Sequence, residues 1–103
     1  MTASALDERY MARALELART RLGQTAPNPA VGCVIVAGGR IAGEGMTGIG
    51  GRPHAEEIAL KAAGDKANGA TAYVTLEPCS ARSAGAMSCS QLLAQSGISR
   101  VVV

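Results

Sequence analysis

The chain has 103 residues, 48% hydrophobic and 17% charged, which suits one compact globular domain over residues 1–103 and excludes intrinsic disorder. A net charge of +2 and only two aromatics, Tyr10 and Tyr73, supply neither the basic stripe nor the stacking platform of a nucleic-acid binder. No apolar run nears the ~20 residues that span a membrane, no basic-then-apolar start marks an export signal, and three cysteines in such a chain suit reduced thiols in the cytoplasm rather than a disulfide framework.

From Ala5 to Leu22 the pattern predicts a helix. Leu6, Tyr10, Ala14, Leu17 and Ala18 recur at three- and four-residue steps, and Arg9, Arg13 and Glu16 take the other face. Arg9, Arg13, Arg19 and Arg21 read as solvated. Gly23 is a stop. Two prolines around Asn28 exclude helix from Thr25 to Pro29. Val31 to Ala37 reads as a buried strand, Gly38-Gly39 as a hairpin turn, and Arg40 to Met46 as the returning strand. Cys33 reads as core, a small buried hydrophobe among valines. Thr47 to Arg52 is a glycine-rich loop.

Pro53 opens the next predicted helix, which runs to about Ala63, and Gly64 closes it. Thr71 to Leu76 is a third strand, Pro78 to Met87 is irregular, Ser90 to Gln95 is a short helix, and Ile98 to Val103 is a fourth strand. The last two strands arrive through helical crossovers, so parallel pairing is expected beside an antiparallel hairpin. The fold class is α/β, a mixed sheet covered by helices on both faces. A final strand as apolar as Val101-Val102-Val103 wants further cover, and a following C-terminal helix and strand are expected to be missing from this chain.

His54, the single histidine, is followed by Glu56 at the start of the second helix; Cys79 follows Pro78, and Cys89 comes ten residues later. One imidazole and two thiols suit tetrahedral Zn²⁺ with one position open. Such a zinc lowers the pKa of bound water to about 7, and Glu56 is placed to carry the proton. Residues two apart on a regular helix point about 200° apart. His54 and Glu56 therefore converge only if His54 sits at the very start of the helix, where Ala55 could also offer its N–H to a substrate carbonyl.

His54-Ala55-Glu56 followed by Pro78-Cys79 matches the zinc deaminase signature, H-x-E then P-C. With Pro27-Asn28-Pro29-Ala30-Val31-Gly32-Cys33-Val34-Ile35-Val36, Gly51-Arg52-Pro53 and Thr75-Leu76-Glu77, the chain resembles the RibD-type pyrimidine deaminase domain of riboflavin biosynthesis, in the cytidine deaminase-like superfamily. The resemblance implies a three-layer α/β/α fold and zinc held by His54, Cys79 and Cys89. It implies proton transfer by Glu56, and substrate contacts from Asn28 and from the backbone N–H groups of Ala55 and Cys79. The implied substrate is a diaminopyrimidinone bearing a ribosylamino 5′-phosphate, which loses one exocyclic amine as ammonia.

Two departures fall where the phosphate is expected. Nine residues separate Cys79 from Cys89, one more than the family pattern, and the histidine, Gly-Arg-Thr and paired prolines of that loop are missing. Thr47 stands where a histidine is often found. Thr47 and Arg82 are the expected substrate-binding replacements, with Ser83 and Arg52 as further candidates. Two alternatives stay open: deamination of another small base, nucleoside or transfer-RNA adenosine, and a non-catalytic zinc-stabilised α/β fragment. The expected partner is a small pyrimidine nucleotide, without membrane or nucleic acid, and self-association is expected.

Overall fold

A computed structural model of the chain describes residues 3–26, 29–75 and 89–103, and the side chains of residues 5–26, 29–75 and 92–103. The elements are α1 (Ala3–Arg19), β1 (Gly32–Ala37), β2 (Arg40–Met46), α2 (Ala55–Ala63), β3 (Thr71–Val74), α3 (Cys89–Gln95) and β4 (Arg100–Val102). Single 3-10 turns occupy Ile49–Gly51 and Gly64–Ala67.

The four strands form one sheet in the order β2-β1-β3-β4. Gly38 and Gly39, both at positive φ (59° and 78°), make the tight turn that sets β2 antiparallel to β1. β4 pairs parallel with β3 through the α3 crossover, as expected. The expectation for β3 needs correction: it pairs with β1, and antiparallel. The crossover through α2 starts from β2 and returns β3 in the direction of β2. It steps over β1 to reach the sheet's other side, so the neighbour β3 meets runs the opposite way.

The period-two alternation of β1 and β3 splits the core into two layers. Cys33, Ile35, Ala72 and Val74 face α2 and α3, where Ala55, Ala59, Leu60, Ala63 and Leu93 cover them. Val34, Val36 and Tyr73 face α1, packed by Ala14 and Leu17 with Tyr10 and Met11 at the margin. This is the three-layer α/β/α arrangement, and Cys33 is fully buried in it as the sequence predicts. No helix of the described residues is long and apolar enough to cross a membrane.

The polar face of α1 is less solvated than its pattern suggests. Arg13 donates Nε to the Glu44 carboxylate of β2 at 2.6 Å, and Arg21 is half-buried. Helical periodicity reports which residues face the core, but not which charged residues at its margin reach a neighbouring strand.

Candidate active site

α2 starts at Ala55, two residues later than the proline signal suggests, with His54 as its N-cap in extended geometry (φ −77°, ψ 154°). This is the freer backbone position that convergence of His54 with Glu56 requires. The His54 carbonyl accepts the N–H of Ile58 at 3.3 Å, so the residue is tied into the first turn while its ring stays outside the helical spiral. The imidazole Nε2 is buried. Glu56, the second residue of α2, is 4% exposed, and Ala55 between them is fully buried.

Two features fix this helix start. The first is the glycine-rich loop, which closes on itself just before His54. Gly48 N–H donates to the Pro53 carbonyl at 2.9 Å, Gly51 N–H donates back to Gly48, and Gly50 N–H reaches the Gln24 carbonyl beyond α1 at 2.7 Å. The second is Gly45 on β2. A Cβ there would lie 2.2 Å from the Ala55 carbonyl oxygen and 2.7 Å from Ala59 N, so only glycine lets α2 settle this deeply on the sheet. Gly45 is not among the residues expected from the sequence, where its signal is Gly43-x-Gly45, two glycines on one face of a strand.

Thr47 follows β2 and is 2% exposed. Its hydroxyl serves the chain itself, accepting the Val31 N–H at 2.9 Å and donating to the Pro29 carbonyl at 3.2 Å. Thr75, which follows β3, accepts the Gly32 N–H on its hydroxyl at 3.1 Å. In the sequence Thr75 stands out only as part of the Thr75-Leu76-Glu77 motif. Cys89 is the first residue of α3, and its side chain lies outside the described atoms. Asn28, Cys79 and Arg82 lie outside the described residues. Of the expected site residues, the structure describes His54, Ala55 and Glu56 in succession at the start of α2, and Thr47 hydrogen-bonded to the segment 29–31.

Among the described residues, no three His, Cys, Asp or Glu side chains gather into a metal-holding group. The donor set nevertheless fits zinc: a buried imidazole nitrogen at a helix start, one cysteine opening the helix that packs against α2, and a second following β3 in sequence. A carboxylate buried two residues from the imidazole gives this end of α2 a proton acceptor where solvent is scarce.

A mixed sheet layered between helices, with a buried H-x-E at the start of the second helix, defines a class of zinc hydrolase. Residues 4–103 match the model of the cytidine and deoxycytidylate deaminase zinc-binding region, and the chain belongs to that family. The riboflavin biosynthesis protein RibD of Escherichia coli is 57% identical over 96 residues, 93% of this chain and 26% of that protein. The diaminohydroxyphosphoribosylamino-pyrimidine deaminase of Buchnera aphidicola from Acyrthosiphon pisum is 52% identical over 94 residues, 91% of this chain and 63% of the relative. The solved structure of Acinetobacter baumannii RibD, form 2, superposes with a TM-score of 0.90 at 45% identity, covering 97% of this chain and 28% of that one. The chain thus spans about a quarter of the length of the RibD relatives it matches.

Proposed function

We propose that this domain hydrolytically deaminates an aminopyrimidine nucleotide, the diaminohydroxyphosphoribosylaminopyrimidine of riboflavin biosynthesis. The observation that carries the reading is the buried Glu56 beside the N-cap His54, in a chain 52% identical to a deaminase named for that substrate. His54, Cys79 and Cys89 would hold the zinc. When bound, zinc supplies the Lewis acidity that makes water nucleophilic near neutral pH.

The remaining work falls to the chain. Glu56 accepts one proton from the attacking water and delivers it to a ring nitrogen, then takes the remaining proton of the added hydroxyl and passes it to the exocyclic amine as the C–N bond breaks. Water's oxygen replaces the exocyclic nitrogen, which leaves as ammonia. The first N–H groups of α2 have no partner within the helix, and that of Ala55 would orient a substrate carbonyl. Asn28 holds the pyrimidine. Arg82 and the exposed Arg52 are the candidate phosphate contacts, in place of the family's loop residues.

Ammonia release over a panel of aminopyrimidine nucleotides, cytidine, deoxycytidylate and adenosine-bearing RNA tests the reading. The ribosylamino 5′-phosphate pyrimidine is expected to be the preferred substrate. Preference for a nucleoside would reassign the substrate within the class, and no ammonia from any compound would reject the activity.

A further inference from the structure

We propose that Thr47 is a positioning residue for substrate binding, its hydroxyl fixing the segment 29–31 that joins Asn28 to β1. The substrate half of this statement rests on the deamination reading; the clamp itself rests on hydrogen bonds. Thr47 meets both sides of Val31. Its N–H donates to the Val31 carbonyl at 2.9 Å, and its Oγ1 accepts the Val31 N–H at 2.9 Å. The hydroxyl donates to the Pro29 carbonyl at 3.2 Å, with the Val31 carbonyl as a second acceptor at 3.4 Å. Pro27 and Pro29 carry no N–H of their own. The approach to β1 therefore has few backbone donors with which to anchor itself, and a side chain from the neighbouring strand end provides the anchor.

A hydroxyl has one proton to give. That of Thr47 is engaged, and the residue is buried, so its route to a ligand runs through the backbone it holds. Thr75 works on the next residue from the other side: its Oγ1 accepts the Gly32 N–H at 3.1 Å, and its N–H donates to the Gly32 carbonyl at 3.1 Å. Adjacent residues Val31 and Gly32 are thus held from opposite flanks of β1. Thr47 grips the side leading to Asn28. Thr75 grips the start of β1 and is itself four residues before Cys79.

The test compares the wild type with Thr47→Val, which keeps the shape and removes the hydroxyl, and Thr47→Ser, which keeps the hydroxyl. Kinetics are measured together with amide hydrogen exchange at Val31. Thr47→Val is expected to raise KM for the pyrimidine nucleotide about tenfold, to leave kcat within about twofold, and to speed exchange at Val31 about tenfold. Thr47→Ser restores both. An unchanged KM in Thr47→Val, or a Thr47→Ser variant as impaired as Thr47→Val, overturns the proposal. If Thr47→Val does not fold, Thr47→Ala is read in its place by the same criteria. A wild type that releases no ammonia defeats the deamination reading alone. The clamp is then decided by Val31 exchange, faster in Thr47→Val and slow in Thr47→Ser if it exists, equal in all three if it does not.

Discussion

Glu56 sits at 4% exposure on a helix whose other buried residues are alanines and a leucine. An alkyl side chain would fill that place without the cost of taking a carboxylate out of water. A carboxyl group at such a position suits the proton-transfer role proposed for it. Glu56→Gln preserves the shape but cannot carry a proton. It is expected to retain metal and to lose turnover by about 10²–10⁴-fold, read by single-turnover ammonia release alongside zinc analysis. His54→Ala is expected to release the metal outright, read by zinc stoichiometry on the purified variant. These residues were legible because their chemistry needs rare types at short spacing: one histidine in the chain, with a carboxylate two residues on. Thr47 was legible only as a position. That its hydroxyl is spent on Val31 and Pro29 depends on β2 ending beside the start of β1, which no local pattern reveals.

The helix that carries His54 is seated by a strand. Gly45 lies under the first turn of α2, and the two nearest atoms a methyl group would meet there are backbone, which cannot rotate away. Gly45→Ala is expected to lift the N-terminus of α2, to destabilise the domain by about 1–3 kcal/mol, and to lower Tm by several degrees. Activity should fall more than the loss of folded protein explains, a comparison made by melting curves and turnover on the same samples. At this scale the elements themselves were readable from the chain. The hairpin followed from Gly38-Gly39, and the buried strands from β-branched runs. The pairing of β3 was not readable, because direction follows from which strand a crossover leaves and neighbour follows from where it lands. The sequence constrains the first much more than the second. The start of α2 was misplaced by two residues for a local reason: proline suits a first helical turn, but Pro53 here closes the loop by accepting from Gly48.

Across the whole molecule, one polar cluster joins the first helix to the last strand. Asp7 on α1 accepts a two-pronged pair from Arg100 on β4, at 3.0 and 2.7 Å, and the Tyr73 hydroxyl at 2.7 Å. The Arg100 and Tyr73 hydrogen bonds hold the Asp7 carboxyl below its ordinary 3.8. Burial first, and then Asp7, push the Tyr73 phenol up to about 12. The signs differ. The folded state binds the Asp7 proton less readily than the unfolded chain, so that contribution is present above about pH 4 and is lost as pH falls further. Tyr73 stays neutral in the fold where the unfolded phenol ionises, so its contribution holds below about pH 10 and is lost as pH rises toward 12. Asp7→Asn is expected to flatten the acid limb of a Tm-against-pH curve and to shrink the alkaline loss, because the Tyr73 phenol is then raised less above its unfolded value. None of this was visible in sequence, where the partners stand 93 residues apart and meet only through the sheet order.

The proposed chemistry depends on His54, Cys79 and Cys89 converging on one ion. X-ray absorption at the zinc edge of the purified protein tests that most directly. The predicted result is one zinc per chain with two sulfur donors and one imidazole nitrogen, one sulfur fewer in Cys89→Ser if zinc is retained there. Zinc held with no sulfur, or a spectrum unchanged in Cys89→Ser, would contradict it.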